Sequence, residues 1–253
     1  MTKESQGVLV EVCLQSADAA VAAEAGGADR VELCDNLVEG GTTPSLGMIE
    51  VTRASIDIGM HVIIRPRGGD FLYSDREMEV MLRDVRAARE CGVNGVVIGL
   101  LTADGRVDRE RCARLMDEAG DMAVTFHRAF DVCRDPWEAL GVLIDMGVDR
   151  ILTSGQQPTV LEGLDLIAAL HREAGERITI LPGCGITPHN LPKVLAVGVR
   201  EIHVVANREQ VSGMAFRHPD VYMGTELRTP EYARSVTHAD EVRRFVGDGG
   251  HAE

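Results

Sequence analysis

The chain lacks every paired-cysteine spacing that marks a structural zinc site or a disulfide frame. Its six cysteines, Cys13, Cys34, Cys91, Cys112, Cys133 and Cys184, are scattered, with no Cys-x-x-Cys among them, which suits reduced thiols in a cytosol. No apolar run approaches the ~20 residues that a bilayer crossing needs, and the start, Met1-Thr2-Lys3-Glu4-Ser5-Gln6-Gly7, has neither the basic segment nor the apolar stretch of an export signal. A cytoplasmic protein is expected. Basic residues are scarce: 26 Lys and Arg stand against 40 Asp and Glu, a formal charge of -14. The average surface therefore repels polyanions and anionic headgroups, which excludes nucleic acid and membrane surfaces as expected partners and leaves a small molecule or a metal ion. A Gly-x-Gly-x-x-Gly turn is also missing after the first strand, which runs into Leu14-Gln15-Ser16 instead. That absence argues against an open, doubly wound sheet.

What is present is a recurring phrase: a helix end, glycine, one or two small or polar residues, then a β-branched strand. It occurs as Gly26-Gly27-Ala28-Asp29-Arg30-Val31, Gly92-Val93-Asn94-Gly95-Val96, Gly147-Val148-Asp149-Arg150-Ile151 and Gly198-Val199-Arg200-Glu201-Ile202. Glycine suits the left-handed position that closes a helix, and the apolar run after it reads as a strand buried on both faces. Eight strands are predicted, near Val8 to Leu14, Arg30 to Cys34, His61 to Arg65, Gly95 to Gly99, Ala123 to His127, Arg150 to Ser154, Ile178 to Leu181 and Glu201 to Val205. Helical spacing lies between them, as in Met78, Met81, Leu82, Val85 and Ala88. Ser74 to Glu77 and Thr159 to Glu162 have capping-box spacing, while Asp135-Pro136 and Thr187-Pro188 place a cap residue before a first-turn proline. Strict alternation over 253 residues predicts parallel strands in a single-domain (β/α)8 TIM-type barrel. The barrel core spans about 8–206, and the segment 207–253 is expected to wrap it and supply a last helix from about His238 to Val246.

In such a barrel, chemistry collects where the strands end. Strand one reads Val10-Glu11-Val12-Cys13 and strand two Val31-Glu32-Leu33-Cys34, so the period of two puts Glu11 with Cys13 and Glu32 with Cys34 on one face. A carboxylate in an otherwise apolar strand needs a partner, which places both pairs in the lumen near its mouth. Candidate partners are Arg65 and Arg67 with Asp70 in loop three, His127, Arg128 and Asp131 at loop five, Ser154 ending strand six, and His203 on strand eight. Loop seven brings Gly183 and Gly185 to a helix start, where bare amides can receive an anion. A buried ion network that merely fixes the barrel is the plain alternative, but loops three and five carry more polar groups than closure requires. For Cys13 and Cys34 the plain alternative is a small buried hydrophobe. Packing suits Cys91, Cys112 and Cys133, and Met78-Glu79-Val80-Met81 reads as core rather than a thioether copper motif. His61, His171, His189, His218, His238 and His251 share no spacing with other ligands and are assigned nothing.

Several long phrases match a known family: Glu11-Val12-Cys13, Gly27-Ala28-Asp29-Arg30-Val31-Glu32-Leu33-Cys34, Glu39-Gly40-Gly41-Thr42-Thr43-Pro44-Ser45, Ile64-Arg65-Pro66-Arg67-Gly68-Gly69-Asp70-Phe71, Tyr73-Ser74-Asp75, Thr125-Phe126-His127-Arg128-Ala129-Phe130-Asp131 and Leu152-Thr153-Ser154-Gly155. On these the chain resembles the CutC family, the copper homeostasis proteins, over nearly its whole length. The resemblance implies a TIM-type barrel, a cytoplasmic protein, and copper(I) bound near Cys13 and Cys34. Two departures from the family pattern are Cys184 in loop seven, where glycine is common, and His203-Val204-Val205, where smaller or polar residues often follow the histidine.

Two functions follow as expectations. One is copper handling, with copper(I) on the soft sulfurs of Cys13 and Cys34. The other is an enzyme acting on a small polar, anionic or phosphate-bearing molecule. There Glu11, Glu32 and His127 would be acid or base groups, Arg65, Arg67 and Arg128 a clamp, and Asp70 and Asp131 its orienting partners. Loop eight, Ala206-Asn207-Arg208, lacks the Gly-Ser sequence that would strengthen a phosphate site. A homo-oligomer is expected in either case.

Overall fold

In the computed structural model, which describes residues 7–217, 220 and 233–246, eight parallel strands share one sheet. They are β1 (Leu9–Leu14), β2 (Arg30–Leu33), β3 (Gly59–Ile63), β4 (Gly95–Ile98), β5 (Ala123–Phe126), β6 (Arg150–Thr153), β7 (Thr179–Pro182) and β8 (Glu201–Val204). Their order, β7-β6-β5-β4-β3-β2-β1-β8, returns β8 to β1 and curls the sheet into a nearly closed barrel. Helices alternate with the strands: α1 (Ala17–Ala25), α2 (Leu46–Ser55), α3 (Asp75–Glu90), α4 (Arg109–Ala119), α5 (Pro136–Met146), α6 (Leu164–Ala174), α7 (Leu191–Leu195) and α8 (Ala239–Val246). The expected architecture is therefore found, with α8 in the eighth helix position against α1 and β1.

The period of two divides the core. Outward residues such as Val12, Val31, Val62, Val96, Ile151 and Ile202 join the buried faces of the helices in one large apolar cluster. Each such side chain contributes about 1.5–3 kcal/mol by leaving water. Inward residues Cys13, Cys34, Ile63 and Val97 form a separate small cluster inside the barrel. On α3, Met78, Met81, Val85 and Ala88 are the buried stripe, and Ser74 and Glu77 make the expected capping box. Asp135 caps α5 ahead of Pro136.

Two helix starts differ from expectation. Thr159 and Glu162 do bond through their side chains at 2.7 Å, but α6 begins only at Leu164. The intervening chain is held by tertiary contacts: Val160 N–H donates to the carbonyl of Cys184, and Gly163 lies so close to Ser154 that a Cβ there would sit 1.9 Å from its carbonyl oxygen. Thr187 caps a local turn rather than a helix, its N–H donating to Asn190 Oδ1 at 2.8 Å, and α7 starts at Leu191. After β8, residues Asn207–Val211 (β9) pair antiparallel with Ala233–Thr237 (β10), a ribbon that the irregular sequence of the tail did not announce. The expected tail at 218–219, 221–232 and 247–253, with His218 and His251, lies outside the described residues.

The repeated phrase has a structural purpose. Asp29, Asn94 and Asp149 occupy one position in it, and each ties its strand to the one before. Their side chains accept from Val10 N at 2.8 Å, Met60 N at 2.9 Å and Val124 N at 2.7 Å. Their own N–H groups donate back to the carbonyls of those three residues. The fourth copy carries Arg200 at this position, and β7 and β8 are the neighbouring strands that lie side by side without a ladder. A clamp acceptor is absent where the barrel is least tightly sewn. Asp29→Ala and Asp149→Ala should each cost about 1 kcal/mol in urea denaturation through loss of the side-chain bond. Arg200→Ala, which removes only an exposed pair with Glu176, should change stability by less than about 0.5 kcal/mol.

Candidate functional site

The lumen is polar from its floor upward. Register sets Glu11 beside Arg30 on one side and His203 on the other. Arg30 pairs through Nε with Glu11 and through Nη2 with Glu201 at 2.7 Å. Arg150 Nε also reaches Glu201, at 2.9 Å. His203 Nδ1 lies 2.7 Å from Glu11 Oε1, and His61 Nδ1 lies 3.9 Å from its other oxygen. Burial alone would raise the Glu11 pKa, but Arg30 and His203 outweigh it and hold the carboxyl well below the usual range. Burial pushes His61 down to about 4, so its ring is neutral at physiological pH. Gly95 makes room for that ring: a Cβ there would stand 2.6 Å from His61 Nε2.

One layer higher are the thiols. Cys13 lies opposite Glu32 in register, and its Sγ is 3.7 Å from that of Cys34. A hydrogen bond from the Cys34 thiol brings Cys13 down to about 5, against the effect of burial and with help from His203. Cys34 is pushed well up by the same contact and by burial. Burial and the neighbouring Cys13 raise Glu32. For His203 burial opposes the charged form, yet bonds to Cys13 and Glu11 and the charge of Glu32 raise it well above the ordinary value. Donor atoms of Cys13, Glu32 and His203 fall within 4.8 Å of one another, all buried.

Above this floor a cavity of about 270 Å³ opens at the carboxyl ends of the strands, lined among others by Cys13, Glu32, Arg65, His127, Arg128 and His203. Arg65 is buried, and its guanidinium donates to the carbonyls of Glu39, Gly41 and Gly69. His127 accepts the Ala129 N–H on Nδ1 at 3.1 Å. Burial, with Arg65 near, takes its pKa down to about 3. The ring is then neutral with its hydrogen on Nε2, which suits donation of a hydrogen bond better than acid–base exchange near pH 7. Asp131 also lines the cavity, but its oxygens are occupied by Arg128 Nε, by Ser154 N–H and Oγ, and by Gln156 N–H. With Ser154 it staples loop six to loop five.

The remaining expected groups lie elsewhere. Arg67 turns outward to Glu77 at 2.6 Å and to Asp70 at 3.2 Å, so this pair fastens loop three to the start of α3 and does not line the cavity. Gly183 lets His203 approach, since a Cβ there would lie 3.2 Å from that ring. Gly185 and Cys184 have positive φ, and the Cys184 thiol and carbonyl are engaged by Pro158 and Val160 of loop six. Arg30, His61, Arg150 and Glu201 were not among the expected site residues. Counting back by twos from Glu32, Arg65, Ser154 and His203 would have found all four.

Two outcomes follow. Glu11→Gln leaves Arg30 and His203 short of a buried partner and should cost about 3 kcal/mol or more in unfolding free energy by urea denaturation. His127 takes no proton in the native state above about pH 3, whereas the unfolded side chain takes one below about 6.5. Native stability contributed by its neutrality is therefore present above the unfolded pKa and is lost as pH falls toward the folded one. Between pH 6 and 4 the wild-type unfolding free energy should fall relative to His127→Gln with a slope approaching ~1.4 kcal/mol per pH unit. Parallel profiles would contradict a neutral His127.

The chain has counterparts among known proteins. Residues 8–208 match the model of the CutC family. The chain is 50% identical over 240 residues to the human copper homeostasis protein cutC homolog, covering 94% of this chain and 88% of the human one. A CutC family protein of Porphyromonas gingivalis is 49% identical over 238 residues, covering 94% and 96%. The CutC crystal structure from Streptococcus agalactiae superposes with a TM-score of 0.75 at 34% identity, over 78% of this chain and 97% of that one. A barrel from Pyrococcus furiosus, a thiamine phosphate pyrophosphorylase, shares the fold alone, at 16% identity and a TM-score of 0.55. With its family model spanning most of the barrel and close relatives matched almost end to end, the chain belongs to the CutC family.

Proposed function

We propose that this protein handles copper by binding copper(I) between Cys13 and Cys34 at the floor of the mouth cavity. The observation that carries the reading is the 3.7 Å separation of the two sulfurs at a point the cavity reaches. Two metal–thiolate bonds of ~2.3 Å, the zinc value, span that gap at a bent angle, and soft sulfur donors favour copper(I) over harder ions. Cys13, brought down to about 5, is already a thiolate at neutral pH, so binding releases few protons from it. His203 stands beside Cys13, oriented from behind by Glu11; its charge supports the thiolate, and it ligates the ion only by giving up a proton. The names of the human and mouse relatives, both copper homeostasis protein cutC homologs, support the same reading. The thiols stay available only in a reducing compartment, which makes the cytoplasm the natural location. All six cysteines are free in the structure, and no helix among the described residues is long and apolar enough to cross a membrane.

The reduced protein, titrated anaerobically with copper(I) against a chromogenic chelator, should take up one equivalent. Cys13→Ser and Cys34→Ser should each weaken binding by at least about tenfold, the lower end of the range for losing even an indirect contact to a metal. Equal, weak uptake by the wild type and the doubly substituted protein would remove the reading.

A further inference from the structure

The mouth cavity holds a cation that no carboxylate among the described residues reaches within ion-pair distance, although Glu32, Glu39 and Asp131 also line it. Among buried arginines, Arg30 has two carboxylates. Arg65, 5% exposed, has none within ion-pair distance among the described residues. Its partners are three backbone carbonyls, and its Nε has no hydrogen-bond partner. The nearby Tyr73 hydroxyl supplies no charge, because burial raises it to about 12. A buried cation without a counter-ion is costly, and the usual remedy is an anion in contact.

A second group on the same wall lacks a partner. His127 is 4% exposed, its Nδ1 is used by Ala129, and its Nε2 makes no hydrogen bond. Because Nδ1 accepts a backbone N–H, Nε2 must carry the hydrogen, whatever its pKa. The Phe71 ring packs against both groups, 5.1 Å from the Arg65 guanidinium carbon and 4.9 Å from the His127 ring centre. Gly99 permits this seat for the histidine, since a Cβ there would lie 2.3 Å from His127 Nδ1. Ile63 and Leu152 add apolar lining to the cavity.

We propose that the mouth cavity binds a small organic carboxylate, its oxygens taken by Arg65 and by the Nε2–H of His127, and its apolar body lying against Phe71, Ile63 and Leu152. One monovalent cation and two N–H donors match one carboxylate. A phosphate dianion would leave charge and acceptor oxygens unmet against the apolar wall. The ligand displaces Phe71 from the two donors as it enters. The site uses neither thiol, so it stands apart from the copper reading and survives its failure.

The test uses metal-free, reduced, ¹⁵N-labelled protein titrated with acetate, butyrate and succinate, with inorganic phosphate and chloride in parallel. At least one carboxylate should shift the His127 Nε2–H resonance saturably. By calorimetry that carboxylate should bind at least tenfold more weakly to His127→Phe, and with unchanged affinity to the Cys13→Ser, Cys34→Ser protein. Arg65→Met should abolish binding, and because Arg65 also holds three loop carbonyls, the wild-type resonance is the measurement that does not depend on that variant folding. A resonance unmoved by every carboxylate, or moved by phosphate or chloride alone, overturns the proposal. So does undiminished affinity in His127→Phe, and loss of binding in the doubly substituted protein overturns the independence from the thiols.

Discussion

The polar interior of this barrel depends on one buried carboxylate. Glu11 of β1 is the meeting point of Arg30 from β2, His203 from β8 and, at longer range, His61 from β3. A charge at that depth is tolerable only when fully met, and meeting it fixes the rotamers of the groups around it. His203 then stands at the height of Cys13 and Glu32, where its positive charge favours the thiolate. The ion network is thus the support on which the thiol pair rests, and on the floor its contacts are those that reinforce a barrel.

The same logic separates the two levels. On the floor every charge has its counter-charge: Arg30 and Arg150 share Glu201, and Arg30 also pairs with Glu11. At the mouth the balance breaks, because Arg65 is held by carbonyls and Asp131 is consumed by its own loop contacts. The difference is one of charge rather than of hydrogen bonding, because Arg150 Nη1 and His61 Nδ1 on the floor also make no hydrogen bond, and a buried charge without a counter-charge is the costlier deficit. The mouth leaves open valences of two chemical kinds, soft at Cys13 and Cys34 and hard at Arg65 and His127.

Barrel closure is likewise a matter of small, repeated bonds. Three copies of the helix-glycine-strand phrase carry an Asp or Asn that exchanges two hydrogen bonds with the preceding strand. The fourth carries Arg200 beside the one seam lacking a ladder among the eight strands. A short phrase thus records where the sheet is sewn and where it is only laid together.

Much was fixed locally. Strand periodicity put Glu11 with Cys13 and Glu32 with Cys34, the repeat set eight units, and side-chain caps at Ser74 and Asp135 began helices where local rules place them. These features depend on neighbours within a few residues, so composition and order suffice to determine them. Tertiary packing decided the rest. Whether Arg65 or Arg67 turned inward was set by the carbonyls of Glu39 and Gly41 and by Glu77, which are distant in the chain. The tautomer of His127, the sealing of loop seven by Pro158, and the joining of His61 to Glu11 are equally non-local. A side chain's partner is chosen by the strand that lies beside it, and only closure of the barrel makes β1 and β8 neighbours.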